Sequence, residues 1–126
     1  MVLALDHLAV RTSDPERLRD FYVRVLGAAV VELDRGRIGV RLGNAQLHLH
    51  GPDSTPEPLP AKTAPPGSFD ACFVWPDTAE AALAHLRGAG VEPERGPVPR
   101  TGAAGAGTSV YFRDPDGNLL ELLSYA

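Results

Sequence analysis

The chain has 126 residues, of which 44% are hydrophobic and 22% charged, with a formal net charge of −4. That length and balance fit one globular domain and exclude a disordered chain, and the negative charge argues against a nucleic-acid partner. The single cysteine, Cys72, excludes an intramolecular disulfide and a cysteine-based zinc site; no apolar run reaches the length of a membrane span.

Residues 3–10 alternate as a strand does, with Leu3, Leu5, His7 and Ala9 on one face and Ala4, Asp6, Leu8 and Val10 on the other. Ser13-Asp14-Pro15 offers an N-cap and a proline at the first helical position, and Glu16 suits the positive end of the helix dipole. Leu18, Phe21, Tyr22, Val25 and Leu26 then form one buried helical stripe that Gly27 can end. Three short strands are expected at about 28–34, 37–42 and 45–50, with turns at Asp34-Arg35-Gly36 and Gly43-Asn44. Six prolines in the seventeen positions 51–67 exclude regular structure there and predict a linker or covering loop.

The pattern then restarts. Phe69 to Trp75 reads as a strand, and Pro76-Asp77-Thr78 opens a helix with Ala79, Ala82, Leu83 and Leu86 on one face. Gly88 and Gly90 end it, and Val91 begins a short strand. The Gly/Pro/Ala stretch 96–107 is expected to be a mobile flap at a pocket mouth. Strands at about 108–113 and 118–124 flank the turn Asp114-Pro115-Asp116-Gly117-Asn118. That turn lacks the length and terminal glutamate of a calcium loop.

The element order is therefore β-α-β-β-β twice, with module one at 1–51, a proline-rich linker at 52–66 and module two at 67–126. Neither module of about 50 residues buries a helix and an open sheet well alone. Packing the two together predicts a single α+β domain with a shared cleft.

Aligning the modules pairs His7 with Asp70 and His48 with Glu121. Imidazole and carboxylate are ligands for Zn, Ni, Co, Mn or Fe(II). His50 shares a strand face with His48 and is the alternative ligand. A structural reading stands beside the chemical one for each: His7 as a hydrogen-bonded core histidine, His48 and His50 as solvent-facing strand residues, Asp70 as a structural carboxylate. Glu121 is harder to explain structurally, because Leu119, Leu120, Leu122 and Leu123 surround it in sequence. Without a metal, Asp70 and Glu121 are expected to face each other. His85 is expected on a solvated helix face. Arg100 and Tyr111 are candidate substrate contacts, the first for an anionic group.

Three segments carry a family resemblance: Leu5-Asp6-His7-Leu8-Ala9-Val10, Asp20-Phe21-Tyr22 with Val25-Leu26-Gly27, and Tyr111-Phe112-Arg113-Asp114-Pro115-Asp116-Gly117-Asn118-Leu119-Leu120-Glu121-Leu122. They resemble the vicinal oxygen chelate superfamily, which includes glyoxalase I, extradiol dioxygenases, fosfomycin-resistance thiol transferases and bleomycin-resistance proteins. The resemblance implies a half-open mixed β-barrel around a central cleft, a small-molecule substrate and a homodimer. It places family ligand positions at His7, His48, Asp70 and Glu121. Asp70 departs from the histidine usual there, which weakens a ring-cleaving dioxygenase reading and leaves His7, His48 and Glu121 as a facial triad.

The expected function is a divalent-metal-dependent lyase or isomerase of glyoxalase type acting on a small oxygen-chelating metabolite, with Glu121 moving the proton. The alternative is a metal-free binding protein for a bleomycin-type antibiotic, whose cationic charge would suit an acidic chain. The N-terminus has neither a basic region nor a long apolar stretch, which predicts a cytoplasmic protein without a membrane partner.

Overall fold

The computed structural model describes residues 1–126. It has two compact units, Met1–Phe69 and Asp70–Ala126. The proline-rich segment belongs to the first. Each unit is a β-α-β-β-β module whose strands form one four-stranded mixed sheet, giving the α+β class read from the sequence.

In the first unit, β1 (His7–Arg11) is followed by α1 (Pro15–Leu26), β2 (Ala29–Glu32), β3 (Ile38–Leu42) and β4 (Ala45–His50). The sheet order is β1-β4-β3-β2, with β1 parallel to β4 and the other pairs antiparallel. The first strand is shorter than the alternation at 3–10 predicts. β4 offers partners only from His7, opposite Gln46, to Arg11, opposite His50. Met1 to Asp6 therefore has no ladder to join, and it stays exposed without regular structure.

Helix α1 starts where the sequence signals it. The Asp14 carboxylate accepts from the Arg17 amide at 3.1 Å and Pro15 takes the first turn, a cap worth about 1 kcal/mol. Gly27 ends the helix at φ 66°, and the Ala28 amide reaches back to the Tyr22 carbonyl at 3.1 Å. Leu18, Tyr22 and Val25 are fully buried and, with Val10, Val40, Leu47 and Leu49, make the core of this unit. Each such side chain contributes roughly 1.5–3 kcal/mol by leaving water.

The second unit repeats the plan with β5 (Asp70–Trp75), α2 (Ala79–Gly88), β6 (Arg95–Gly102), β7 (Gly105–Arg113) and β8 (Leu119–Ser124). Its sheet order is β5-β8-β7-β6, with β5 parallel to β8. The Thr78 hydroxyl caps α2 by accepting from the Ala81 amide at 3.1 Å. Ala79, Ala82 and Leu86 are buried, as are Val110, Phe112, Leu120 and Leu122.

Two sequence expectations are overturned here. Residues 96–107 are not a flap but most of a β-hairpin, β6 and β7, turning at Ala103-Ala104. Val91 forms no strand; its amide donates to the Leu86 carbonyl at 2.8 Å just beyond the helix. The glycines and prolines misled because their reasons are local. β6 is an edge strand, where a proline removes no needed donor, and Gly96-Pro97 lies in its bulge. Gly107 is small because a Cβ there would meet Leu123 Cδ1 and the Ser124 carbonyl, each at 2.7 Å. The Tyr125 hydroxyl accepts from the Ala104 amide at 3.1 Å and ties down the hairpin tip.

The turn before β8 agrees with its sequence signal. Buried Asp114 accepts from the amides of Asp116 and Asn118 at 3.0 Å and from the Asn118 side chain at 2.7 Å.

Candidate functional site

In each sheet one face is packed by its helix and the alternate positions point the other way. Those second faces carry the candidate residues.

On the first sheet they are His7 and Arg11 from β1 with Gln46, His48 and His50 from β4. The rings of His7 and His48 are stacked, with centroids 3.9 Å apart and planes at 11°. His7 Nδ1 lies 2.7 Å from Asp6 Oδ1, and His48 Nε2 lies 3.3 Å from Gln46 Oε1. Burial, then the neighbouring His7, holds the His48 imidazole below the ordinary value of 6.5, so it is neutral at pH 7, the form that ligates metals. Gly39 stands opposite His48 on β3, and a Cβ there would touch the His48 ring at 3.5 Å. His50 is buried, with Nδ1 2.8 Å from the Ser54 hydroxyl. Burial first, and then the charge of Arg11, keeps it neutral too.

A cleft of about 650 Å³ opens on this face, between His7, His48, His50, Arg11 and Arg37 and the proline-rich segment from Pro56 to Phe69. The expected covering loop is thus one wall of it. A larger hollow of about 810 Å³ lies beside the start of α1 and Gly51–Glu57 and contains none of the candidate ligands.

On the second sheet the corresponding face carries Asp70 and Cys72 from β5, Glu121 from β8, and Ser109 and Tyr111 from β7. The Ser109 hydroxyl donates to Glu121 Oε2. The expectation that Asp70 faces Glu121 is corrected: Asp70 pairs with Leu119, and Cys72 stands opposite Glu121. Partial burial, followed by the Glu121 carboxylate, pushes the Cys72 thiol up to about 11. The thiol is therefore protonated at neutral pH, which makes it a slow nucleophile there. Arg100 and Tyr111 do meet: Arg100 Nε donates to the Tyr111 hydroxyl at 2.8 Å, with its guanidinium 5.3 Å from the ring centroid.

The strand registers make the modules superposable residue by residue. His7 stands opposite Gln46 as Asp70 stands opposite Leu119, and Ala9 opposite His48 as Cys72 opposite Glu121. His48 and Glu121 are in turn opposite Gly39 and Tyr111. Residues 4–122 match the Glyoxalase/Bleomycin resistance protein/Dioxygenase superfamily. The chain belongs to that superfamily.

Among its glyoxalase-superfamily relatives, the glyoxalase domain-containing protein RDO1 of Mycosarcoma maydis is 44% identical over 98% of this chain and 69% of its own length. The virulence protein STM3117 of Salmonella typhimurium is 37% identical over 96% of this chain and 83% of its own. The crystal structure of STM3117 has a TM-score of 0.92, covering 100% of this chain and 99% of that one. An integron cassette protein from the mobile metagenome of V. cholerae is 40% identical, with a TM-score of 0.91 and coverage of 100% and 98%.

Within either unit, no three His, Cys, Asp or Glu side chains are gathered into a metal-holding group. On the first sheet two imidazoles lie side by side, a donor type that suits a borderline divalent ion. Stacked rings keep their in-plane lone pairs in near-parallel planes, so one ion cannot lie in both planes unless a ring turns. Sequence reasoning missed Ser109 as partner of Glu121, Gly39 as the space beside His48, and Arg11 in the cleft. Only the strand registers, which depend on pairing partners distant in sequence, bring these together. No helix is long and apolar enough to cross a membrane.

Proposed function

We propose that this glyoxalase-superfamily chain is a divalent-metal-dependent lyase or isomerase of glyoxalase type, acting on a small oxygen-chelating metabolite. The observation that carries the reading is the His7–His48 imidazole pair, with Asp70 and Glu121 at the register-equivalent positions. His7, His48 and Glu121 would hold the ion, with Asp70 as a fourth donor. His48 is favoured over His50 because its ring lies against His7, while His50 is engaged with Ser54.

The ion, Zn, Ni, Co, Mn or Fe(II), would supply Lewis acidity when bound. The rest is the work of the chain. Glu121, freed from the ligand set and beside the Ser109 hydroxyl, would take a proton from the substrate carbon and return it. Arg100, braced on Tyr111, holds a polar group of the substrate. A homodimer belongs to the same reading, and sedimentation of the untagged protein tests it.

A second reading, a metal-free small-molecule binder of the antibiotic-resistance kind, draws on a specific observation. Both stacked rings already have polar partners, Asp6 and Gln46. Elemental analysis of protein purified without a His tag separates the two. Stoichiometric metal, lost in His7→Ala and in Glu121→Gln, supports the enzyme. No metal after added Zn, Ni, Mn or Fe(II) overturns it in favour of the binder.

A further inference from the structure

The charged side chains that line the first sheet's cleft run against the charge of the chain, with Asp6 behind His7 as the carboxylate at its edge. With 16 carboxylates against 12 lysines and arginines, the chain is acidic. Yet the charged residues lining this cleft are Arg11, Arg37 and Lys62, with no carboxylate among the lining residues. Arg37 is already paired, Nη2 to Asp34 Oδ1 at 2.5 Å. Arg11 is half-buried at the end of β1, beside His50, and takes no carboxylate partner. A guanidinium that has given up part of its water without gaining a counter-ion is costly unless a ligand supplies one. Proline side chains of the covering segment form the opposite wall. They keep the local dielectric low and strengthen any charge pair made there.

We infer that this cleft takes a small carboxylate-bearing molecule, with Arg11 as the anchor that selects an anion over a cation. The planar guanidinium fork matches a carboxylate with two parallel hydrogen bonds. Lys62, exposed on the covering segment, adds a positive charge. His50, opposite Arg11 in the strand pairing, adds a buried ring beside the anchor. The inference narrows the substrate class of the proposed enzyme and rests on that reading only in placing the cleft beside His7 and His48. It is also opposite in sign to capture of a cationic antibiotic.

The test is calorimetric titration of malonate into the full chain, stripped of metal with a chelator, at low and at moderate salt. We expect saturable one-site binding that weakens as salt rises. Arg11→Gln should weaken it by at least about tenfold, the loss of a bidentate charged pair, while Arg24→Gln on α1 leaves it unchanged. If Arg11→Gln melts well below the parent protein, Arg11→Lys replaces it: charge is kept, the fork is lost, and a smaller but measurable weakening is expected. Absence of saturable binding overturns the inference, and so does binding that the Arg11 variants leave unchanged. Because metal is absent throughout, failure of the metal reading leaves this result standing, and the reverse also holds.

Discussion

His7 and His48 stack their imidazole rings on adjacent parallel strands, 3.9 Å between centroids. Two rings this close oppose double protonation. Burial is the larger cause of the lowered His48 value, and His7 is the next. In an NMR titration of the ring protons, the His48 midpoint should lie below 6.5 and should rise part of the way back in His7→Gln. A midpoint at or above 6.5 in the parent protein would contradict the packing described here.

His50 gives a prediction about stability. Its folded value is depressed, by burial first and then by Arg11 and Arg37. The unfolded chain therefore binds the proton more readily than the folded one. The sign follows: the contribution is complete above the ordinary histidine value of 6.5 and is lost as pH falls from there through the lower folded value. His48 acts in the same direction. Thermal melts at about pH 7.5 and about pH 5.5 should show a larger drop for the parent protein than for His50→Gln. Equal drops would remove His50 from the acid response.

Much of the fold was legible because its signals are short-range. Ser13-Asp14-Pro15 and Gly27 bracket α1, and the apolar stripe at Leu18, Tyr22 and Val25 gives the buried face. The equivalence of His7 with Asp70 and of His48 with Glu121 was legible for a related reason: the modules repeat in sequence, and the strand registers repeat with them. What was not legible depends on tertiary neighbours. Gly102 and Gly107 look flexible in sequence, but they are small because Leu123 and Tyr125 pack against them. Cys72 rather than Asp70 stands opposite Glu121 because the parallel offset of β5 and β8 is set by backbone pairing. The cationic lining of the cleft gathers Arg11, Arg37 and Lys62 from a strand end, the turn just before β3 and the proline-rich segment, and no spacing rule joins them.

The buried turn before β8 gives the largest expected loss of stability. Asp114 accepts from two amides and from the Asn118 side chain, and both residues are buried. Asp114→Ala takes the carboxylate acceptor away from those donors, at about 1–3 kcal/mol for a buried hydrogen-bonding group. Urea unfolding should place the variant at least about 2 kcal/mol below the parent. A loss under about 0.5 kcal/mol would mean that water satisfies the turn instead.

Tyr125 should act locally. Tyr125→Phe removes the acceptor of the Ala104 amide and leaves the ring in place beside Gly102 and Gly107. The expected cost is about 1 kcal/mol, with faster amide exchange at Ala104 and little change in the core strands. Uniformly faster exchange across β7 and β8 would show that the hydroxyl supports the whole sheet rather than the hairpin tip.

Glu121 and Cys72 are coupled in a way that a thiol reagent can read. The Cys72 thiol is held at about 11, first by partial burial and then by the charge and hydrogen bonding of Glu121, with a smaller contribution from Asp70. Glu121→Gln removes the second cause and leaves the first. The thiol should therefore titrate lower than in the parent protein but still above the ordinary cysteine value of 9.0. Cys72 is exposed enough for a reagent to reach it, so the alkylation rate measured against pH reports its thiolate fraction. Near pH 8 the variant should react faster than the parent, while Asp70→Asn shifts the profile less. If both variants follow the parent's profile, Glu121 does not address Cys72 electrostatically, and its carboxylate lies turned away from β5.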